Sequence, residues 1–234
     1  MSTGGRGCTL PRVVGLETDL ITLYHCADAR SFRCLWLLEE LGLPYDLRVL
    51  PFPPRSKAPD FLEVNPCGSV PWLQDGPVGL SESAAILAYL AGRHAPCDLA
   101  VAPDEPGYPD WLQWLHFGEA SLTAPLATML RYQVLEAPER RLPAVVADYR
   151  EVFLSRLAAV ERVLQRSDHL AAGRFTAADI SVGYALMLAR MMGLQNDLPA
   201  AVRTYWARLT ERPAYHRAKS RQKQAPAAQQ ETRP

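Results

Sequence analysis

The spacing of apolar positions divides the chain into an alternating first part and a helical second part. Leu20-Ile21-Thr22-Leu23-Tyr24 is a short β-prone run, and a polar loop, His25–Arg30, follows it. In SFRCLWLLEELG, Phe32, Leu35, Trp36, Leu38 and Leu41 recur at helical spacing, and Gly42 with Pro44 stops the helix. Tyr45–Leu50 alternates as a second strand, so residues 20–50 predict a β-α-β unit. The proline-rich PFPPRSKAPD reads as a loop, with Phe61-Leu62 opening a short helical turn. Two apolar runs about Asp75-Gly76-Pro77 predict a hairpin, and 83–93 a closing helix.

Residues 97–108 are proline-rich and acidic and read as a linker between a first unit, 20–96, and a second, 109–217. Beyond the linker every long segment is helical in pattern. Trp111, Leu112, Trp114 and Leu115 begin one stretch, which continues through Leu122, Leu126, Met129 and Leu130; Pro125 is expected to kink it. Tyr149, Val152, Phe153, Leu157, Val160 and Leu164 mark another. Thr176 with Asp179 three residues on is a helix-start pattern, and the ISVGYALMLARMMGL that it opens is apolar on most faces, as a buried central helix would be. A last helix is expected near 199–212. Residues 1–19 read as a flexible leader and 218–234 as a disordered tail, with Arg217, Lys219, Arg221 and Lys223 as solvated charges.

Composition narrows the function classes. The chain has 234 residues, 48% hydrophobic and 21% charged, and its 25 Lys+Arg balance 25 Asp+Glu. That balance argues against a nucleic-acid or membrane-surface partner, and no apolar run approaches the ~20 residues of a membrane span. The N-terminus lacks the apolar stretch of a secretory signal. The 5 cysteines show no disulfide framework and no CxxC pair, which points to a reducing, cytoplasmic setting. The 5 histidines are scattered without metal-ligand spacing, so no metal is assigned.

The stretch Asn65–Ser83 carries the candidate chemistry. An X-Pro bond is where a cis peptide is cheap, and at Val70-Pro71 it would turn the Val70 backbone outward. Backbone groups freed in this way can pair with a peptide-like ligand as with an extra strand. Glu82-Ser83 then opens a helix whose N–H groups and positive dipole end favour a carboxylate. Together these features suit a small, charged peptide.

Three blocks, LYHCADARSFRCLWLLEELGLPYDL, NPCGSVPWL and LSESAAILAYLA, in this order and spacing resemble the cytosolic glutathione S-transferases of bacterial type. FTAADIS in the second half is similar to the folding-module motif of the same family, and the resemblance covers roughly residues 20–217. It implies an α/β thioredoxin-like N-terminal domain followed by an all-α helical C-terminal domain. It also implies a homodimer that conjugates reduced glutathione to a small hydrophobic electrophile. On that resemblance Glu82 and Ser83 hold the γ-glutamyl end, the Val70-Pro71 backbone pairs with the cysteinyl part, and Lys57 and Ser69 face the glycyl carboxylate. Ser69 departs from the family here, standing where Lys or Arg is frequent.

The thiol-activating group is the second departure. A free thiol has a pKa of about 8.5, so the chemistry needs a group that favours the thiolate. Family members place Ser, Tyr or Cys in the loop before the first helix. In CADARS the aligned positions are Asp28 or Ala29, which leaves Ser31 as the nearest hydroxyl and the expected catalytic residue. The N–H groups of Arg30 and Ser31 and the Arg30 charge are expected to assist. Two other readings stay open: a glutathione-dependent reductase or peroxidase working through Cys26, and a non-catalytic interaction module that kept the fold.

Overall fold

The computed structural model describes residues 20–94 and 97–231, the last six of these by their helical backbone alone. The leader expected over 1–19 lies outside the described residues. The first half forms β1 (Ile21–His25), α1 (Phe32–Leu41), β2 (Tyr45–Val49), two single turns α2 (Pro54–Lys57) and α3 (Phe61–Val64), β3 (Trp72–Asp75), β4 (Val78–Leu80) and α4 (Ser83–Arg93). The strands make one sheet in the order β2-β1-β3-β4. β1 and β2 are parallel, as their helical crossover requires, and β3 and β4 are antiparallel about the turn at Gly76. The chain leaves α1 through Gly42, whose left-handed φ of +64° a side chain would resist.

The second half holds α5 (Tyr108–His116), α6 (Ala124–Leu130), α7 (Pro143–Leu164), α8 (Ala177–Met191), α9 (Ala200–Thr210) and α10 (Pro213–Glu231). The interruption expected at Pro125 takes the form of two π-helical stretches, Phe117–Thr123 and Arg131–Leu135, on either side of α6. Gly118 in the first of these lies against α8, where an added Cβ would come within 2.4 Å of Ser181 Oγ. Thr176 and Asp179 form the expected capping box: Thr176 Oγ accepts from Ala178 N, and Asp179 Oδ2 accepts from Thr176 N at 2.8 Å. Asp179 also accepts from Leu170 N and Tyr205 Oη, so this buried carboxylate is fully bonded at the centre of the bundle.

One hydrophobic core runs through both halves. Trp36 of α1 meets Tyr215 of α10 with ring centroids 5.0 Å apart and Phe175, just before α8, at 6.2 Å. The tail expected to be disordered from residue 218 is instead helical to 231. Its inward stripe is Ala214, Tyr215, Ala218 and Gln222, which offers only one large apolar side chain as a signal. Three of the four basic residues expected to be solvated are paired: Arg217 Nε lies 2.8 Å from Glu39, Lys219 Nζ 2.5 Å from Asp28 and Arg221 Nε 3.6 Å from Glu39, while Lys223 is exposed.

Candidate active site

A cavity of about 950 Å³ opens where the sheet half meets the helical half. One wall follows from the loop before β3. Asn65 Nδ2 donates to Ser69 O at 2.8 Å, and Asn65 Oδ1 accepts from Cys67 N, which shapes the turn leading to Val70. The Val70-Pro71 peptide is cis, and Phe52-Pro53 across the cavity rim is cis as well. Among the described residues no hydrogen bond takes up the Val70 N–H or C=O. Ser69, Val70 and Pro71 all line the cavity.

Glu82 and Ser83 complete this wall at the start of α4. Neither acts as a side-chain cap of that helix. Glu82 is exposed and holds φ +68°, a conformation that costs a non-glycine residue of order 1–3 kcal/mol. Of the three non-glycine residues with positive φ among the described residues, Asp28, Glu82 and Ala172, two line this cavity, so the backbone strain is concentrated there. Ser83 is buried, and its Oγ accepts from Arg33 Nη1 at 3.1 Å. With its lone pair engaged from inside, the hydroxyl proton of Ser83 is left to donate into the cavity.

Arg33 is fully buried and uses all five of its N–H donors. They reach Ser181 O, Ser83 Oγ, Glu119 Oε2, Gly118 O and Thr123 Oγ1, and the guanidinium lies 4.4 Å from the Tyr184 ring centroid. Glu119 also accepts from Arg30 Nε at 2.6 Å. Burial would raise the Glu119 carboxyl, but the charges of Arg33 and Arg30 override it and hold the pKa below its usual value. Arg30, a third exposed, lines the cavity as its cationic group among the described residues.

The loop facing this wall is Cys26–Ser31, of which Ala27, Asp28, Ala29 and Arg30 line the cavity. Ser31, expected as the thiol-activating hydroxyl, is turned the other way. It is wholly buried; Oγ accepts from Cys26 N at 3.2 Å and lies 2.7 Å from His25 Nδ1. His25 Nε2 in turn lies 3.1 Å from Gln222 Oε1. The orientation of that carboxamide is fixed by Asp28, whose N–H donates to Oε1 and whose carboxylate accepts from Nε2 at 2.7 Å. His25 therefore carries its proton on Nε2, and Ser31 donates to Nδ1. Burial pushes the His25 pKa down to about 4, so the ring is neutral. Cys26 is buried too, its thiol raised to about 12 by burial, and it does not reach the cavity. Lys57 is exposed and lies outside the cavity.

Five of the seven expected site residues, Ser69, Val70, Pro71, Glu82 and Ser83, are thus gathered on one wall, and Ser31 and Lys57 are not. The sequence reading missed Glu119, Arg33 and Gln222. The helical half adds Leu130, Val134, Leu135, Leu188, Met191 and Met192 to the lining, from α6, the second π-helical stretch, α8 and the residue that follows it. Val134, Leu135 and Met191 are each more than half exposed, an apolar lip that water alone would not favour. Trp111 and Trp114 belong to the core. Among the described residues no group of three or more His, Cys, Asp or Glu is placed to hold a metal, and no helix is long and apolar enough to cross a membrane.

A thioredoxin-like sheet domain joined to a helical domain, with a cleft at the junction, is the class of protein defined by this architecture. The family model described as glutathione S-transferase, N-terminal domain, matches residues 29–93. Glutathione S-transferase F13 of Arabidopsis thaliana is 32% identical over 192 residues, covering 78% of this chain and 87% of that protein. Glutathione S-transferase 3 of Schizosaccharomyces pombe is 27% identical over 209 residues, covering 83% and 85%. The glutathione transferase URE2P6 of Phanerochaete chrysosporium, solved in complex with oxidized glutathione, superposes with a TM-score of 0.77 at 28% identity over 88% of this chain and 97% of that one. URE2P8 of the same fungus, solved with oxidized glutathione, shares the fold with a TM-score of 0.78 at 23% identity, covering 91% and 99%. The chain belongs to the glutathione S-transferase family.

Proposed function

We propose that the protein binds reduced glutathione along the polar wall and conjugates it to an apolar electrophile held against the lining from the helical half. The observation that carries this reading is the composition of the cleft: an unpaired Val70 backbone, Glu82 and Ser83 from the sheet half, Leu130, Val134, Leu135 and Met191 from the helical half. The Glu82 carboxylate suits the ammonium of the γ-glutamyl end, and the Ser83 hydroxyl with the first N–H groups of α4 suits its carboxylate. The free N–H and C=O of Val70 suit the cysteinyl amide, and Ser69 the glycyl end.

That placement leaves the sulfur toward the loop at the start of α1. The role expected of Ser31 passes, in this reading, to the backbone N–H of Arg30 and its guanidinium, which favour a thiolate by hydrogen bonding and charge. The thiol proton leaves to solvent. The sulfur electron pair then forms a bond to the electrophilic carbon, and the leaving group departs with the electrons of the broken bond, giving a thioether. The family's homodimer and a cytoplasmic detoxification role go with the reading.

Titration calorimetry with glutathione and conjugation of 1-chloro-2,4-dinitrobenzene test it. Binding together with turnover is the expected result. A wild-type protein that takes up no glutathione would discard the reading, and binding without turnover would favour a non-catalytic module. Ser31→Ala that conjugates at the wild-type rate per bound glutathione would support the backbone assignment. Turnover abolished in Ser31→Ala, with binding intact, would return the role to that hydroxyl.

A further inference from the structure

We propose that Gln222, delivered by the C-terminal helix, is a positioning residue for the thiol-facing loop. It holds Cys26–Ser31 in the conformation that brings Ala27–Arg30 to the cavity. The proposal rests on the glutathione reading for its chemistry and on hydrogen-bond geometry for its mechanism.

The loop is poorly supported from within. Asp28 at its apex has φ +56°, and the loop's own ties are Ala29 N to Cys26 O at 3.1 Å and Cys26 N to Ser31 Oγ at 3.2 Å. What fixes Asp28 comes from far along the chain. Its N–H donates to Gln222 Oε1 at 3.2 Å, its carboxylate accepts from Gln222 Nε2 at 2.7 Å and Lys219 Nζ at 2.5 Å, and its carbonyl accepts from Tyr184 Oη at 3.2 Å. The same Gln222 oxygen receives His25 Nε2, so one carboxamide pins the apex of the loop and the end of β1 together. Gln222 is 4% exposed, and among the described residues its three side-chain bonds all go to these two residues.

The register of α10 is set by basic residues just before and within its first turns. Arg212 makes two bonds to Glu40 at 2.7 and 2.8 Å, and Arg217 reaches Glu39 through its carboxylate and its carbonyl. Ala214 and Ala218 allow the helix to lie close on α1. A slip of one residue moves a side chain about 1.5 Å along and 100° around the axis, enough to carry the carboxamide out of reach. The basic run is therefore a strap between α10 and α1, with Gln222 as its working point.

The test uses the full chain with Gln222→Ala and Gln222→Glu. Gln222→Glu keeps the shape but replaces the donor facing Asp28 by a carboxylate. Hydrogen exchange of the 26–31 amides is expected to accelerate at least ~10-fold in both variants. Glutathione affinity, governed by the other wall, should stay within about threefold, while the apparent pKa of the bound thiol, read from its ultraviolet thiolate absorbance, rises by about one unit, a tenfold loss of thiolate below that pKa. A purely structural role would lower the melting point without moving that titration. Variants with wild-type exchange and wild-type titration overturn the proposal alone, whereas a wild-type protein that binds no glutathione overturns the reading beneath it as well.

Discussion

The two sides of the cleft are held in place by different means. The polar wall at Ser69–Pro71 is shaped by bonds among near neighbours: Asn65 reaches residues two and four positions on. The loop at Ala27–Arg30 is held from elsewhere, by Gln222, Lys219, Tyr184 and Glu119. A wall with local support keeps its shape whatever the second half does. A loop with remote support is as well placed as the packing of the two halves allows. Affinity for the peptide and reactivity of its sulfur are therefore expected to respond to different mutations.

Arg33→Met gives the largest expected effect, because Arg33 joins the two regions. It leaves Glu119 and Thr123 without their buried donor, and breaking a buried pair of this kind costs roughly 3–5 kcal/mol. Urea unfolding measures that loss; a cost below about 1 kcal/mol would mean that the two sides are not coupled through this residue.

Next in size is a pH effect on the loop side. Burial lowers the His25 pKa from 6.5 to about 4, so between those values the unfolded chain binds a proton that the folded chain does not. Stability is then fully present above pH 6.5 and lost as pH falls toward 4, by at most about 3 kcal/mol. His25→Gln should flatten the slope between pH 6.5 and 4.5 in urea midpoints; an unchanged slope would place the titration elsewhere. Asp28 and Glu119, whose pKa values are lowered, add their own losses only below the usual carboxylate range.

The polar wall should show the opposite behaviour. Ser83→Ala is expected to weaken glutathione binding about 10- to 30-fold, the worth of one hydrogen bond to a charged group, roughly 1.5–2 kcal/mol. Glu82→Ala should act in the same direction with little change in stability, since Glu82 is exposed and among the described residues bonds no other side chain. Calorimetry beside thermal melting separates the two quantities, and equal losses in both would erase the distinction between the regions. Lys57→Ala marks the small end: exposed and outside the cavity, it should change the glutathione Kd less than about twofold.

The same contrast explains what could be read from the chain. The β-α-β unit, the hairpin at Gly76, the capping box at Thr176 and the wall at Val70, Glu82 and Ser83 are written in adjacent residues. Local geometry suffices to interpret them. Arg33 sits in a helical pattern like any surface cation, and its burial depends on carbonyls and side chains from 118–123 and 181. Ser31 has the right residue type before the right helix, but its direction is decided by His25 and, behind it, Gln222. The C-terminal helix escaped notice because its packed face is mostly alanine and glutamine, and close approach rather than bulk is what those residues supply.

The aromatic junction of Trp36, Phe32, Phe175 and Tyr215 has a practical consequence for anyone who would take the molecule apart. Cutting at the connecting segment does not separate two finished pieces, because it uncovers rings that each piece needs the other to keep dry. Expressed alone, either piece should be recovered in aggregates, and the intact chain should absorb heat in a single calorimetric peak whose van't Hoff and measured enthalpies agree.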